Sequence, residues 1–203
     1  MSKTDHLGAK NIGGNPEKGR REMDFYPTPE DVTTALLDFL GWKNSTIWEP
    51  AAGDGAMVRV LERYGNRVIA TDIRTTGDDY LATPVPDGVQ AIVTNPPFSA
   101  AESFIRRSLE NGLPFALLLK SQYWHAGSRR ALFFRSPPSL VLPLTWRPDF
   151  TGQGASLMDV AWSVWLTPNM RTRTEYVPLE RPAEPGQVSI FGGTAWTRNT
   201  QQS

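Results

Sequence analysis

Four short stretches of the chain combine residue types and spacings that could do chemistry. "NPPF", at residues 95–98, follows the apolar, β-branched run "AIVT". Proline cannot continue a strand ladder, and it holds the residue before it in an extended conformation. Asn95 is therefore fixed where a strand ends, although a rigid structural turn alone would also account for the prolines. "EPAAGDG", residues 49–55, puts Gly53 and Gly55 in a turn that lets backbone approach a ligand and aim amides at it. Asp72 closes the next apolar run, at the distance beyond a glycine turn where a carboxylate accepts both hydroxyls of a ribose. In "DDY", residues 78–80, either Asp78 or Asp79 is placed to accept from an adenine amino group.

Such residues need a scaffold that gathers strand ends on one side. "YPTPEDVTTALLDFLG" predicts a helix, with Thr28 as cap, Pro29 at the first position, and Glu30 and Asp31 facing the positive end of its dipole. Leu36, Leu37 and Leu40 give it an apolar face, and Gly41 ends it. "STIWEPAAGDGAMVRVLERYG" predicts strand, turn and helix, and "NRVIATDI" a second strand. A helix over residues 100–111 precedes the strand "LPFALLLKSQYW". Then come a short helix "RRALFF", a strand and loop "SLVLPLTWRPDF", and a last strand "DVAWSVWLTP". Strands alternating with helices imply an α/β fold, a mostly parallel sheet with helices on both faces; the late strand pair implies an antiparallel edge. In such sheets ligands lie beyond the carboxyl ends of the strands, where all four stretches fall. The expected organisation is a mobile polar segment over residues 1–22, one domain over 23–168, and an extended, loosely attached tail over 169–203.

Composition narrows the chemistry. The chain of 203 residues has no cysteine and only two histidines, which argues against disulfides and against thiolate or histidine metal sites. No apolar run approaches a membrane span and no signal-peptide core is seen, so a cytoplasmic protein is expected. Net charge is zero, yet no acidic residue occurs between Glu110 and Asp149, where Lys120, Arg129, Arg130, Arg135 and Arg147 do. Tyr123, Trp124, Phe133, Phe134 and Trp146 are interleaved with them. Cations for phosphates and flat rings for unstacked bases suit a nucleic-acid face. Solvated arginines above ordinary core aromatics give the same pattern.

Together the four stretches resemble the class I S-adenosylmethionine-dependent methyltransferases, with a Rossmann-like fold. "NPPF" points to their amino-methyltransferase branch, especially the DNA N6-adenine methyltransferases. "DFYPTP" resembles the family's N-terminal cofactor motif, and "WRPDF…DVAWSVW" the end of its phage-type members. The resemblance implies that Tyr26 and Thr28 hold the methionine end of S-adenosylmethionine. Glu49, Ala51, Gly53 and Gly55 would line its middle, Asp72 its ribose and Asp79 its adenine. For Tyr26, packing onto the following helix is the other reading.

The resemblance also gives "NPPF" a chemical task. The lone pair of an exocyclic amino group is delocalised into its ring, so the nitrogen is a poor nucleophile. Two acceptors set against its hydrogens favour pyramidalisation and return density to it. Asn95 would offer a side-chain carbonyl and Pro96 a backbone one, while Pro97 stiffens the loop and Phe98 stacks on a base extruded from the duplex. Lys120, Arg129 and Arg130 would meet DNA phosphates, and Trp146, Arg147 and Phe150 would lie near the extruded base. The chain leaves no room for a large sequence-reading insertion, so short or relaxed sequence preference is expected, with phosphate contacts giving most of the affinity.

Other readings share the motif. Related "NPP" sites methylate RNA bases or a protein glutamine, and a catalytically inactive nucleic-acid-binding protein could keep the fold. In the tail, "QVSIF" at residues 187–191 resembles the peptide by which bacterial proteins dock on the sliding clamp. Gln187 would fix register and Ile190 and Phe191 would be the anchors. The simpler alternative, that these residues fold back onto the enzyme, is favoured.

Overall fold

The structure, a computed structural model, describes residues 26–183 apart from 153, 155–157, 169 and 171–172. Its elements run α1 (Glu30–Leu40), β1 (Thr46–Glu49), α2 (Ala56–Arg63), β2 (Arg67–Ala70), β3 (Ala91–Thr94), α3 (Ala101–Asn111), β4 (Phe115–Lys120), α4 (Arg130–Arg135), β5 (Leu140–Pro143), β6 (Val160–Trp165) and β7 (Glu175–Tyr176).

The strands form one seven-stranded sheet in the order β2-β1-β3-β4-β6-β5-β7. β2, β1, β3 and β4 are mutually parallel, and β6 runs antiparallel to both β4 and β5. The antiparallel pairing falls at the expected end of the sheet, with β5 and β7 lying beyond the reversed strand. The central strands are buried on both faces, which is why they read as unbroken apolar runs.

Alternation along β4 divides the core. Ala116 and Leu118 join Val32, Leu36 and Leu37 of α1 and Met57, Val60 and Leu61 of α2 on one face. Phe115, Leu117 and Leu119 join Phe104 and Ile105 of α3 on the other. Two tryptophans lock the reversed strand in place. The Trp162 indole donates to the Val32 carbonyl at 3.0 Å, and Trp165 stacks on Phe115 at 4.5 Å. Truncating either fully buried ring would cost about 3–5 kcal/mol.

Helix α1 starts one residue later than predicted. Pro29 is its N-cap, and no side chain caps it. The Thr28 hydroxyl is engaged elsewhere, as described below. Gly41 does end the helix, in the left-handed conformation (φ 66°). Within the expected loose tail, the described residues 174–179 are tied to the sheet. β7 pairs with β5, the Leu179 amide donates to the Pro143 carbonyl at 2.7 Å, and Leu179 is buried in the core. Residues 187–191 lie outside the described residues.

Candidate active site

The carboxyl ends of β1, β2 and β3 open into one cavity of about 380 Å³. Tyr26, Thr28, Glu49, Ala51, Asp72, Asp78, Asp79, Asn95 and Pro97 all line it. Sequence positions from 26 to 97 thus meet in one place, because parallel strands end together. Five carboxyl groups (Glu49, Asp54, Asp72, Asp78 and Asp79) face it against one guanidinium, that of Arg74. Even with Glu49 neutral, as its burial makes it, carboxyl groups outnumber the guanidinium four to one, a balance that suits a ligand carrying positive charge.

Asn95 has a fixed orientation. Its Nδ2 donates to Thr28 Oγ1 at 3.0 Å and, more weakly, to the Tyr26 carbonyl at 3.5 Å. A backbone carbonyl can only accept, so the amide nitrogen faces Tyr26 and the oxygen turns away. Oδ1 is buried and has no hydrogen-bond partner. A buried acceptor left alone costs about 1–3 kcal/mol, which a ligand's donor would recover once a small shift of the side chain exposes the oxygen to it. The Pro97 carbonyl accepts from the Ala100 amide at 2.8 Å, closing the turn into α3 and leaving the Pro96 carbonyl outside that bond.

Glu49 is almost fully buried, and desolvation pushes its carboxyl up to about 8. The Thr94 hydroxyl and the Ala51 amide, which donates to Oε1 at 3.0 Å, pull it back only in part; nearby Asp72 adds to the rise. Its Oε2 makes no well-formed hydrogen bond.

The glycine loop differs from expectation. Both glycines have positive φ, 55° at Gly53 and 79° at Gly55, as a tight turn requires. Their amides do not aim at a ligand. Gly53 N–H donates to Asp72 Oδ2 at 3.0 Å and Gly55 N–H to the Ala52 carbonyl at 2.8 Å. The wall beside them is made by Ala51, Ala52 and Asp54. Asp72 in turn accepts from the Arg74 amide at 2.8 Å through Oδ1, so it clamps the β1 and β2 loops together. Between the two acidic candidates, Asp79 accepts from the Leu81 amide at 2.9 Å within its own turn. Asp78 makes no such bond among the described residues and is the freer acceptor. Ile73 and Leu81, which sequence reasoning passed over, line the cavity while largely exposed. β2 ends at Ala70, short of the expected strand that runs through Ile73, so Ile73 is left outside the sheet, and Leu81 follows Asp79 by two residues outside any helix or strand.

A second cavity of about 410 Å³ lies across the Pro97–Phe98 turn, and Ser99 lines both. Its walls include Phe98, Lys120, Gln122, Tyr123 and Arg129, with no carboxyl group. Lys120 Nζ sits 4.2 Å from the Phe98 ring centroid, and the Tyr26 ring is 6.4 Å from the same ring on a tilt of 34°. Tyr26 also meets Phe150 edge-on at 6.5 Å.

The remaining basic and aromatic candidates separate. Arg129 is held over the Tyr123 ring at 3.8 Å and donates to the Tyr123 carbonyl at 2.8 Å. Arg130 is exposed, 5.8 Å from the Phe134 ring. Arg147 pairs with Asp159 at 3.1 Å on the surface, and the Trp146 indole donates to Asp31 at 2.9 Å. Phe150 is a core residue, 4% exposed, because the Asp149 carboxyl gathers the amides of Thr151, Gly152 and Gly154 and folds that loop inward. Among the described residues it meets the cavity wall at Tyr26. Among the described residues no group of three or more His, Asp or Glu side chains could hold a metal ion, and no helix is long and apolar enough to cross a membrane.

No protein-family model matches the chain, and no curated protein matches it. Its fold does have counterparts among solved structures. A type I restriction-modification methyltransferase subunit from Streptococcus thermophilus superposes with a TM-score of 0.58 at 15% identity, over 75% of this chain and 47% of that one. A candidate RNA methyltransferase from Pyrococcus horikoshii gives 0.55 at 14% identity, over 73% and 88%. A candidate class I S-adenosylmethionine-dependent methyltransferase from Listeria monocytogenes gives 0.53 at 12%, over 82% and 68%. The chain spans about half the length of the Streptococcus subunit. It has the Rossmann-like fold of the class I S-adenosylmethionine-dependent methyltransferases.

Proposed function

We propose that the protein transfers a methyl group from S-adenosylmethionine to the exocyclic N6 of an adenine extruded from DNA. The observation that carries this reading is Asn95: its nitrogen is tied back to Thr28 and Tyr26, and its Oδ1 is buried without a partner. An amino group entering beside it would donate one hydrogen to that oxygen and the other to the Pro96 carbonyl. Neither acceptor has to ionise.

The residues fit the cofactor. The acidic cavity is within the usual size of small-molecule sites and matches a cation. When bound, S-adenosylmethionine would supply an electrophilic sulfonium methyl. Asp72, with Asp78 or Asp79, would hold its nucleoside end, and Tyr26, Thr28 and Glu49 the rest. Gly53 and Gly55 would shape the loop from behind. Positioning then supplies most of the remaining rate.

The acceptor would enter from the basic cavity. Phe98 would offer the extruded base a stacking face, with Lys120, whose Nζ now sits 4.2 Å over that ring, moving aside to meet its phosphate. Arg130 is exposed and free to add a phosphate contact, whereas Arg129, Trp146, Arg147 and Phe150 have structural partners that make them supporting residues. With few side chains free to read base edges, sequence preference would be short.

Tritiated methyl transfer to unmethylated DNA, RNA and protein, followed by nucleoside and amino-acid analysis, tests the reading. Label in N6-methyladenine of DNA, in many sequence contexts, is expected. Label confined to RNA or to glutamine would overturn the choice of acceptor.

A further inference from the structure

We propose that Thr28 is a positioning residue that sets which way the Asn95 side-chain amide points. The inference rests on the reading of Asn95 as acceptor for the target amino group, and deepens it. A primary amide is nearly symmetric in shape, so packing hardly separates its two orientations; hydrogen bonds must. Reversed, Asn95 would turn its N–H groups toward the target amino group and its oxygen toward the Tyr26 carbonyl. The site would then offer donors to a donor.

Two groups hold the productive orientation, and they are unequal. The Tyr26 carbonyl accepts at 3.5 Å, the outer limit of a hydrogen bond, while Thr28 Oγ1 accepts at 3.0 Å across 67 residues of sequence. Thr28 is 7% exposed, so water competes little for that bond. The hydroxyl has no competing local duty either, because α1 begins at Pro29 without any side-chain cap. A Thr beside a helix start would ordinarily cap it. Here it reaches across to the end of β3 instead.

A hydroxyl can accept and donate at once. Thr28 lines the acidic cavity, so its own proton remains available to an acceptor bound there. Once that proton is committed, Oγ1 has only lone pairs left for Asn95. An occupied cavity would thus reinforce the orientation that the acceptor site needs.

Thr28→Val keeps the shape and removes the acceptor; Thr28→Ser keeps the acceptor. At saturating S-adenosylmethionine, which removes any loss of cofactor affinity from the comparison, Thr28→Val is expected to lower kcat for methyl transfer about tenfold, and Thr28→Ser to recover most of the rate. A second readout needs no turnover. In the cofactor-free protein with ¹⁵N-labelled asparagine, the Asn95 Nδ2 hydrogens, assigned by their absence in Asn95→Asp, should exchange with solvent about tenfold faster in Thr28→Val. An unchanged Asn95 amide signal, or weakened cofactor binding with kcat retained, overturns the assignment. Because the amide readout needs no acceptor, it decides the role of Thr28 even if no methylation of adenine is found, an outcome that would sink the adenine reading alone.

Discussion

The two cavities on either side of the Pro97–Phe98 turn have opposite characters. One is walled by five carboxyl groups and a single arginine, the other by a lysine and an arginine with no carboxyl group. Carboxylates concentrate a cationic ligand and repel a polyanion, while basic walls do the reverse. The reaction proposed above needs both environments side by side. The strip from Asn95 to Ser99 is where they meet. What differs further is how each side spends its polar groups. On the acidic side each Asp72 oxygen already accepts a backbone amide, and Asn95 Oδ1, like Glu49 Oε2, is left without a partner. On the basic side Arg129 is engaged with Tyr123, and Lys120 Nζ, among the described residues, meets only the Phe98 ring.

The largest effect on this contrast should come from Asp72→Ala. It removes the acceptor of the Gly53 and Arg74 amides as well as a cavity carboxylate. Stability should fall by about 1–2 kcal/mol, since two partly buried backbone donors lose their partner. S-adenosylmethionine affinity, measured by calorimetry, should fall at least about tenfold. Unchanged affinity would mean that the acidic cavity is not the cofactor site.

Glu49→Gln tests the acidic side through pH. Burial holds the Glu49 carboxyl at about 8, against an ordinary 4.5, so the folded state keeps a proton that the unfolded chain releases. That contribution to stability is complete below about pH 4.5 and is lost as pH rises to about 8. Glu49→Gln keeps a neutral group that can still accept from Ala51. In urea titrations of the cofactor-free protein, the wild type should lose stability relative to Glu49→Gln across that window. Parallel curves would place the carboxyl in a wetter site than the structure gives it.

The smallest effects sharpen the basic side. Lys120→Ala should weaken DNA binding across all sequences and flatten the salt dependence by roughly one unit. Arg147→Ala should leave the slope unchanged, because an exposed pair such as Arg147–Asp159 contributes about 0–1 kcal/mol and engages the cation already. Equal slopes for the two variants, in fluorescence-anisotropy titrations, would remove the distinction between them.

The same contrast marks what the sequence could show. The strand ends were legible because each is local: an apolar run, then a residue type that cannot continue it. Asn95, Asp72 and Glu49 all sit at such stops, and the parallel sheet brings them together without further information. The glycine loop was legible in its turns but not in its amides, since the partner of Gly53 is 19 residues away. Thr28 was expected as a helix cap, a local rule that a bond across 67 residues overrides. The basic stretch was least legible. Whether an arginine meets solvent, a ring or a carboxylate depends on tertiary neighbours, as Arg129 over Tyr123 and Trp146 on Asp31 show. Phe150 followed the same logic in reverse, turned inward by a loop that its neighbour Asp149 organises.

The central claim is that Asn95 Oδ1 is a vacant acceptor for the target amino group and plays no part in holding the cofactor. Single-turnover methyl transfer to unmethylated DNA, measured for wild type and Asn95→Ala alongside calorimetric S-adenosylmethionine binding, tests it directly. The account predicts a loss of about 10²-fold or more in the transfer rate, in the range seen when a preorganised polar group at a reacting centre is removed, with cofactor affinity kept within a few-fold. Retention of most of the transfer rate by Asn95→Ala, or loss of cofactor binding in place of rate, would contradict it.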